Sequence, residues 1–372
     1  MQITKEAYPS VSDPKKYEDK AFRFVMKSDS GAAASFITYG ARIDTLCVPD
    51  KGGKNADIML GLKGLDEYIR DGGNHGAVVG RSANRIAGAS FVINGIKYDL
   101  PDNDNGNNLH TGNPAFQNVF WDGCVISKDE ADGYIEASGI AGIPESEGEA
   151  VMFSCVSADG ECGFPGRLET SVIYDWLVDN TLLILYRAVS DKDTVFAPTH
   201  HAYFNLGGHN SGYVGDNLLM CNSDRITLKN DHNCPDGRYL DVEGTVFDCR
   251  QQIFLSQLIE SDEPQITMSR GIDQNYCING YNGNYNFAAC LTDPESGRVM
   301  EVYTDMPGIQ FYAGNHLGGN DQKGDIPYEP YGALCLEAQM FPNGVNIPEF
   351  ESPVIKAGKI KYHACGYKFS CV

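Results

Sequence analysis

The sequence predicts a mainly all-β protein, a large antiparallel β-sandwich with few short helices. Three observations carry this. Short runs of β-branched and aromatic residues alternate apolar with polar at a period of two, and few long stretches keep a helical period. Turn signals such as Asn94-Gly95 sit between paired apolar runs. Glycine is frequent, at 41 of 372 residues, as a chain with many tight turns requires. No fixed-period repeat and no Pro- or Ser-rich linker divides the chain, so residues 1–372 read as one large β domain.

In chain order, residues 1–20 read as a peripheral N-terminal arm, and they lack the apolar h-region of a signal peptide. Residues 62–70 suit a short helix. In SFVINGIKYDL (90–100) Asn94-Gly95 predicts a type I′ hairpin turn. Residues 129–149 are acidic and glycine-containing, and read as a surface loop or weak edge hairpin. ETSVIYDWLV (169–178) puts Thr170, Val172, Tyr174, Trp176 and Val178 on one face. TLLILYRAV (181–189) follows Asp179-Asn180, which predicts a second hairpin.

Composition removes several function classes. Fifty acidic against 29 basic residues leave a net charge of −21, which repels phosphate backbones and argues against a nucleic-acid partner. No apolar run approaches the roughly 18 residues of a membrane helix, so no membrane partner is expected. The twelve cysteines show no C-x-x-C spacing and read as reduced, mostly buried thiols of a cytoplasmic protein. No structural zinc site is expected, and the histidines lack H-E-x-x-H spacing.

Strand parity then sorts the polar residues, because successive side chains on a strand face opposite sides. In PTHHAYFNLGG (198–208) His200 shares a face with Ala202, Phe204 and Leu206, which suit a core. His201 shares the other with Tyr203 and Asn205, so His201 is the candidate for chemistry and His200 a structural residue. In ALCLEAQMFPNG (333–344) Leu334, Leu336, Ala338 and Met340 oppose Cys335, Glu337 and Gln339. A carboxylate in so apolar a strand is costly to bury unless it is paired or needed, and the alternative is a solvent-facing edge. Ile309 and Phe311 lie opposite Gln310 and Tyr312, and Ile272, Tyr276 and Ile278 lie opposite Asp273 and Asn275. The polar faces offer His, Tyr, Asn, Glu, Gln and Asp without Lys, a set that matches the hydroxyls of a neutral polyhydroxylated ligand. Asn84 and Arg85 before the first hairpin, and His110 in an Asn-rich turn, extend this set.

These motifs together resemble the aldose 1-epimerase (galactose mutarotase) family. Asn84-Arg85-Ile86 is similar to its N-R-I segment, and Asn108 to Gly112 to its N-x-L-H-G-G segment. SADGECGFPG (157–166) is similar to its S-P-D-G-E-x-G-Y-P-G turn, and Thr199 to Leu206 to T-N-H-S-Y-F-N-L. Asp273, the stretch from Gly308 to Asn315 and the stretch from Leu336 to Asn346 continue the match in the family's order. The departures are His200 for Asn, Thr111 for Gly, Gln274 for His, Asn343-Gly344 for Asp-Ala, and an apparent insertion at 129–149. They bear on sugar preference and cleft shape.

The resemblance implies a mutarotase-like supersandwich with a sugar cleft on a concave face, and interconversion of the α and β anomers of galactose and glucose. By position it implies Glu337 as general base and His201, protonated, as general acid. His110, Asp273, Arg85, Asn84, Gln310 and Tyr203 are the expected sugar contacts. Glu337 takes the proton of the anomeric hydroxyl and His201 supplies one to the ring oxygen, so no metal or organic cofactor is required and a bell-shaped pH profile follows. The partner is a free aldohexose, and the chain is a monomer or homodimer. Three rivals stand beside this reading. A glycoside hydrolase needs two flanking carboxyl groups where the partner of Glu337 is a histidine. A non-catalytic carbohydrate-binding module would have lost the Glu or the His. A hexose-6-phosphate epimerase needs extra cations near the cleft motifs, where Arg81 and Arg85 stand.

Overall fold

In a computed structural model, which describes residues 2–319 and 321–372, the alternating runs assemble into three main sheets. The first is a five-stranded meander of Gln2–Ala7, Phe22–Lys27, Ala33–Ile37, Arg42–Pro49 and Asn55–Asp57. The second has nine strands and includes the hairpin of Leu168–Trp176 with Thr181–Ser190, continued by Lys361–Cys371, Arg298–Thr304 and Asn286–Thr292. The third has six strands in the order Tyr203–Phe204, Leu334–Gln339, Gly308–Tyr312, Asp273–Cys277, Arg225–Lys229 and Pro235–Asp241. Neighbouring strands in all three are antiparallel, as the hairpin signals predict.

One core joins the three sheets. Phe24 and Phe36 come from the first, Tyr174, Ile184 and Tyr367 from the second, and Tyr276, Ile309, Phe311 and Leu336 from the third. Each is essentially fully buried, so apolar area removed from water holds the layers face to face. The two expected hairpins form. Asn94 (φ 53°) and Gly95 (φ 78°) both take the left-handed backbone that a type I′ turn demands, with Ile93 opposite Ile96. The second closes with Trp176 opposite Leu182, and its turn carries Val178 out to solvent, 63% exposed, away from the face it was expected to share.

Residues 2–7 of the N-terminal arm form a mostly exposed edge strand registered on Phe22–Lys27, with turns through residue 20; Met1 lies outside the described residues. One expectation needs correction. The segment expected to be a loop or edge hairpin at 129–149 instead opens with an α-helix, Lys128–Ser138. Its local logic was present in the chain. Ser127 and Glu130 form a reciprocal capping box, Gly139 (φ 67°) ends the helix, and Ala131, Tyr134 and Ile135 recur at helical spacing. That apolar stripe packs on Ile173, Leu183 and Leu185, the outer face of the nine-stranded sheet. The strands there are buried on both sides because the helix covers one of them. Ser127→Ala is expected to cost about 1 kcal/mol of stability by chemical denaturation. It should leave activity unchanged, since the helix sends no residue into the cleft described below.

The short helix expected at 62–70 is Leu65–Arg70. No helix among the described residues is long and apolar enough to cross a membrane. All twelve cysteines are unbridged, and seven are buried.

Candidate active site

Register in the six-stranded sheet builds the site. Asn275 pairs with Gln310 and Gln310 with Glu337, which makes one rung of polar side chains. Asp273 pairs with Tyr312, Tyr312 with Cys335 and Cys335 with Tyr203, which makes the next. Alternation sends Leu334, Leu336, Ile309 and Phe311 to the opposite face, into the core. The strand Thr199–His201 pairs with Ala77–Val79 and carries His201 to the edge of these rungs, where Thr199 Oγ1 donates to the Ala338 carbonyl.

The polar rungs floor a cleft of about 690 Å³. It gathers all eight residues singled out from the sequence: Glu337, His201, His110, Asp273, Arg85, Asn84, Gln310 and Tyr203. A second cavity of about 530 Å³, on the outer face of the nine-stranded sheet, contains none of them. The solvent-edge alternative for Glu337 fails, because its side chain is 6% exposed.

His201 Nε2 stands 3.9 Å from Glu337 Oε1, and His201 Nδ1 stands 3.6 Å from Cys335 Sγ. The imidazole lies against the Tyr203 ring at 4.9 Å between centroids, and the His110 ring meets it edge-on at 5.6 Å. His200 takes the other side, as parity requires. It is buried edge-on against Tyr174 at 5.9 Å, neither ring nitrogen has a partner among the described residues, and burial lowers its pKa to about 3. Asn205 also leaves the site, because its amide donates to the Gly212 and Gly332 carbonyls.

A continuous hydrogen-bonded chain fixes the Asn84 and Gln310 amides of the cleft. Asn84 Nδ2 donates to Gln339 Oε1 (3.4 Å), Gln339 Nε2 to Gln310 Oε1 (2.9 Å), and Gln310 Nε2 to Asp273 Oδ1 (2.6 Å). Arg85 closes it, with Nε on Asp104 (2.6 Å) and Nη1 3.7 Å from Asp273. Asn84 N–H donates to His110 Nδ1 (3.2 Å), which leaves the other ring nitrogen to the cleft. Tyr203 donates its hydroxyl to the Gly73 carbonyl (2.9 Å), so it meets the cleft with its ring. Of the family departures, Gln274 turns away from the cleft to the Thr227 carbonyl. Thr111, at φ 72°, exchanges hydrogen bonds with the Ser82 backbone through its hydroxyl.

Burial sets the charges. It lowers the His201 pKa to about 4, with His75 adding to the fall. It raises that of Glu337 well above the carboxylate range, with Asp273 adding to the rise. Both directions favour the neutral forms, a protonated carboxyl beside a neutral imidazole, where the sequence predicts an ionised carboxylate beside an imidazolium. His110 is held neutral too, by burial and then by His201 and Arg85. Asp273 goes the other way. Burial pushes it up, but the Lys229 and Arg85 cations and the Gln310 amide outweigh that and keep it ionised.

Sequence reading missed Lys229, having read the polar faces as free of lysine. Lys229 is buried behind the cleft, donates to the Asp273 carbonyl (2.7 Å) and Ser269 Oγ (2.9 Å), and is pulled by burial to about 8. His75, Asn233, Ser269 and His316 also line the cleft without having been singled out. They sit outside the alternating strands, so no parity signal marks them. Arg81, weighed as a cleft cation, is buried elsewhere, on the Ser157, Ala158, Pro165 and Gly166 carbonyls.

Ligand atoms of His201, Cys335 and Glu337 lie within 4.8 Å of one another, a donor set of the kind zinc takes. An ion there would occupy both halves of the His201–Glu337 pair.

Comparison with known proteins places this geometry. The family model for aldose 1-epimerase matches residues 23–368. The chain is 34% identical to the galactose mutarotases of Bos taurus and Homo sapiens, over 94% of this chain and 94% of each of them. It is 28% identical to the aldose 1-epimerase of Escherichia coli strain K12, over 88% of both chains. Among solved structures, an aldose epimerase homologue from C. elegans superposes with a TM-score of 0.81 at 26% identity, covering 95% of this chain and 99% of that one. Galactose 1-epimerase from Lactobacillus acidophilus superposes at 0.80 and 25% identity, covering 100% and 99%.

Proposed function

From the premise that this chain belongs to the aldose 1-epimerase family, we propose that Glu337 and His201 are the groups with which it interconverts the α and β anomers of free galactose and glucose. The observation that carries the residue assignment is the buried pair itself, 3.9 Å apart at the floor of a cleft lined with amides and carboxylates. Of the other six cleft residues expected from the sequence, His110, Asp273, Arg85, Asn84 and Gln310 hold the sugar hydroxyls and Tyr203 offers its ring face.

Anomer exchange needs one proton removed from the anomeric hydroxyl and one delivered to the ring oxygen. Rotation about C1–C2 follows, and closure reverses both transfers. The pair carries one proton in total, whichever partner holds it. Protonated Glu337 with neutral His201 is the proton tautomer of ionised Glu337 with imidazolium. The sugar hydroxyl and ring oxygen, arriving between the two groups, supply the hydrogen bonds that favour the ionic form. Glu337 then accepts the hydroxyl proton and His201 donates to the ring oxygen. Each transfer is between electronegative atoms, so one carboxyl and one imidazole suffice.

Arg85 and Arg270, the two guanidinium groups lining the cleft, bear on the phosphorylated-sugar reading, and Arg85 is already engaged by two carboxylates. The free sugar therefore remains the better fit. Polarimetry on freshly dissolved α-D-galactose and α-D-glucose tests it: the decay to equilibrium rotation should accelerate with enzyme. Acceleration confined to hexose 6-phosphates would overturn the free-sugar assignment, and none with any sugar would leave a binding module.

The pH dependence tests the pair. One shared proton is present above the point where His201 gains a second, about 4, and below the raised value at which Glu337 loses the last. The profile of kcat/KM, which reports the free enzyme, should be a bell with its acid limb near that low value and no inflection at the ordinary imidazole value of 6.5. Both limbs belong to the pair jointly. A limb centred near 6.5, after subtraction of the buffer-catalysed rate, would show that His201 titrates alone as a solvated ring.

A further inference from the structure

Beside the proton-transfer pair lies a second histidine that the reaction above does not use. His75 lines the cleft and is 1% exposed. Its ring stacks on Tyr203, with centroids 4.7 Å apart and planes at 23°, and Tyr203 in turn lies against His201. His75 Nδ1 is 3.0 Å from Asp71 Oδ1, and its backbone N–H donates to Asp71 Oδ2 (2.7 Å).

Asp71 is itself anchored. Arg42 Nη1 donates to its Oδ2 (2.8 Å) and the Gly73 N–H to its Oδ1 (2.7 Å), while Arg42 also holds the His75 carbonyl (2.7 Å). An ionised carboxylate only accepts, so Nδ1–H donates to Asp71 and Nε2 is left as the free polar atom of the ring. That nitrogen is buried and has no hydrogen-bond partner among the described residues. Native structures rarely leave such an atom unmatched without a reason, and a wall of a polar cleft supplies one.

We propose that His75 is a hydroxyl-binding residue of the cleft: its Nε2 hydrogen-bonds one hydroxyl of the bound aldose, while Asp71 and Arg42 hold the ring for that contact. This rests on the cleft's being the sugar site. Asn84, Gln310 and Gln339 each both donate and accept, whereas His75, with Nδ1 committed to Asp71, offers one polar atom, Nε2. A sugar lacking the partner hydroxyl leaves that nitrogen unmatched. The Tyr203 stack couples the contact to His201, so His75 also sets where the sugar lies relative to the pair.

The test uses His75→Phe, which keeps a ring on Tyr203 and removes Nε2. Wild type and variant are compared by polarimetry on galactose and on those monodeoxy analogues that keep the anomeric hydroxyl and the pyranose ring. On galactose the variant should raise KM roughly 3- to 10-fold, the loss of one hydrogen bond, with kcat changed less than about twofold. For one deoxy sugar, the analogue missing the partner hydroxyl, the two proteins should show the same KM. His75→Gln, which returns a polar atom near the Nε2 position, should recover part of the loss, and it replaces the Phe variant should thermal melting show that variant unfolded. An unchanged KM in the variant, or an equal penalty with every deoxy sugar, would overturn the proposal. Saturation-transfer NMR with galactose separates the two readings. Wild type that binds but does not accelerate mutarotation would sink the reaction, while weaker binding by the variant in that experiment would leave the hydroxyl contact standing.

Discussion

Glu337→Gln is expected to lose roughly 10²–10⁴ of kcat, the contribution of one positioned acid–base group, while folding at least as stably as the wild type. The loss follows because the amide neither accepts the anomeric proton nor holds the pair's shared one. The stability follows from linkage. Burial raises the Glu337 pKa, so the folded protein keeps a proton that the unfolded chain releases above the ordinary carboxyl value of 4.5. Stability therefore falls as pH rises from that value through the raised folded pKa. A glutamine of the same shape carries no such cost and should melt at the same or a higher temperature at neutral pH. This is the signature of a group kept for reaction and not for the fold. Polarimetry with parallel thermal melts measures both. A variant that keeps its activity removes Glu337 from the reaction. One that loses activity and stability together makes the carboxyl a structural group.

His201→Asn is expected to lose a similar factor, roughly 10²–10⁴ in kcat, with a different stability signature. Burial depresses the His201 pKa to about 4, so its cost to the fold exists only below the ordinary imidazole value of 6.5, where the unfolded chain gains a proton that the folded one refuses. At neutral pH the variant gains nothing and gives up the ring contacts with Tyr203 and His110, so it should melt lower than the wild type. Between pH 6.5 and 4 the gap should narrow, since wild type alone is penalised there. The double variant with Glu337→Gln should be little slower than either single one, because one shared proton serves both transfers and removing either partner disables it. Multiplicative losses would show two groups acting independently.

Some of the site could be read directly from the chain, because strand alternation is a local property. Two adjacent histidines must face opposite ways, and their neighbours Ala202, Phe204 and Leu206 mark which way is in. The same rule placed Glu337, Gln310 and Asp273 on one face before any pairing was known, and the register of the six-stranded sheet then set Gln310 beside Glu337. The helix at Lys128–Ser138 shows the limit of reading by composition. Its capping box and apolar spacing were present, but acidic and glycine residues masked them, and the sheet face that the stripe covers was not yet in view.

What the sequence by itself determined, then, was the antiparallel class, the faces of the strands and the side chains that meet the cleft, since each depends on neighbours one or two residues away. Tertiary structure alone decided the rest. Lys229 is remote in sequence from Asp273 and is joined to it by packing across strands. His75 reaches the cleft because Ala77–Val79 pairs with Thr199–His201, and its orphaned nitrogen exists only once Asp71 and Arg42 close around the ring. The charge state of the pair belongs here too. Expected as imidazolium beside carboxylate, the pair is pushed by burial toward its neutral forms, because the free energy of a charge depends on how much water remains around it, and only the folded chain sets that.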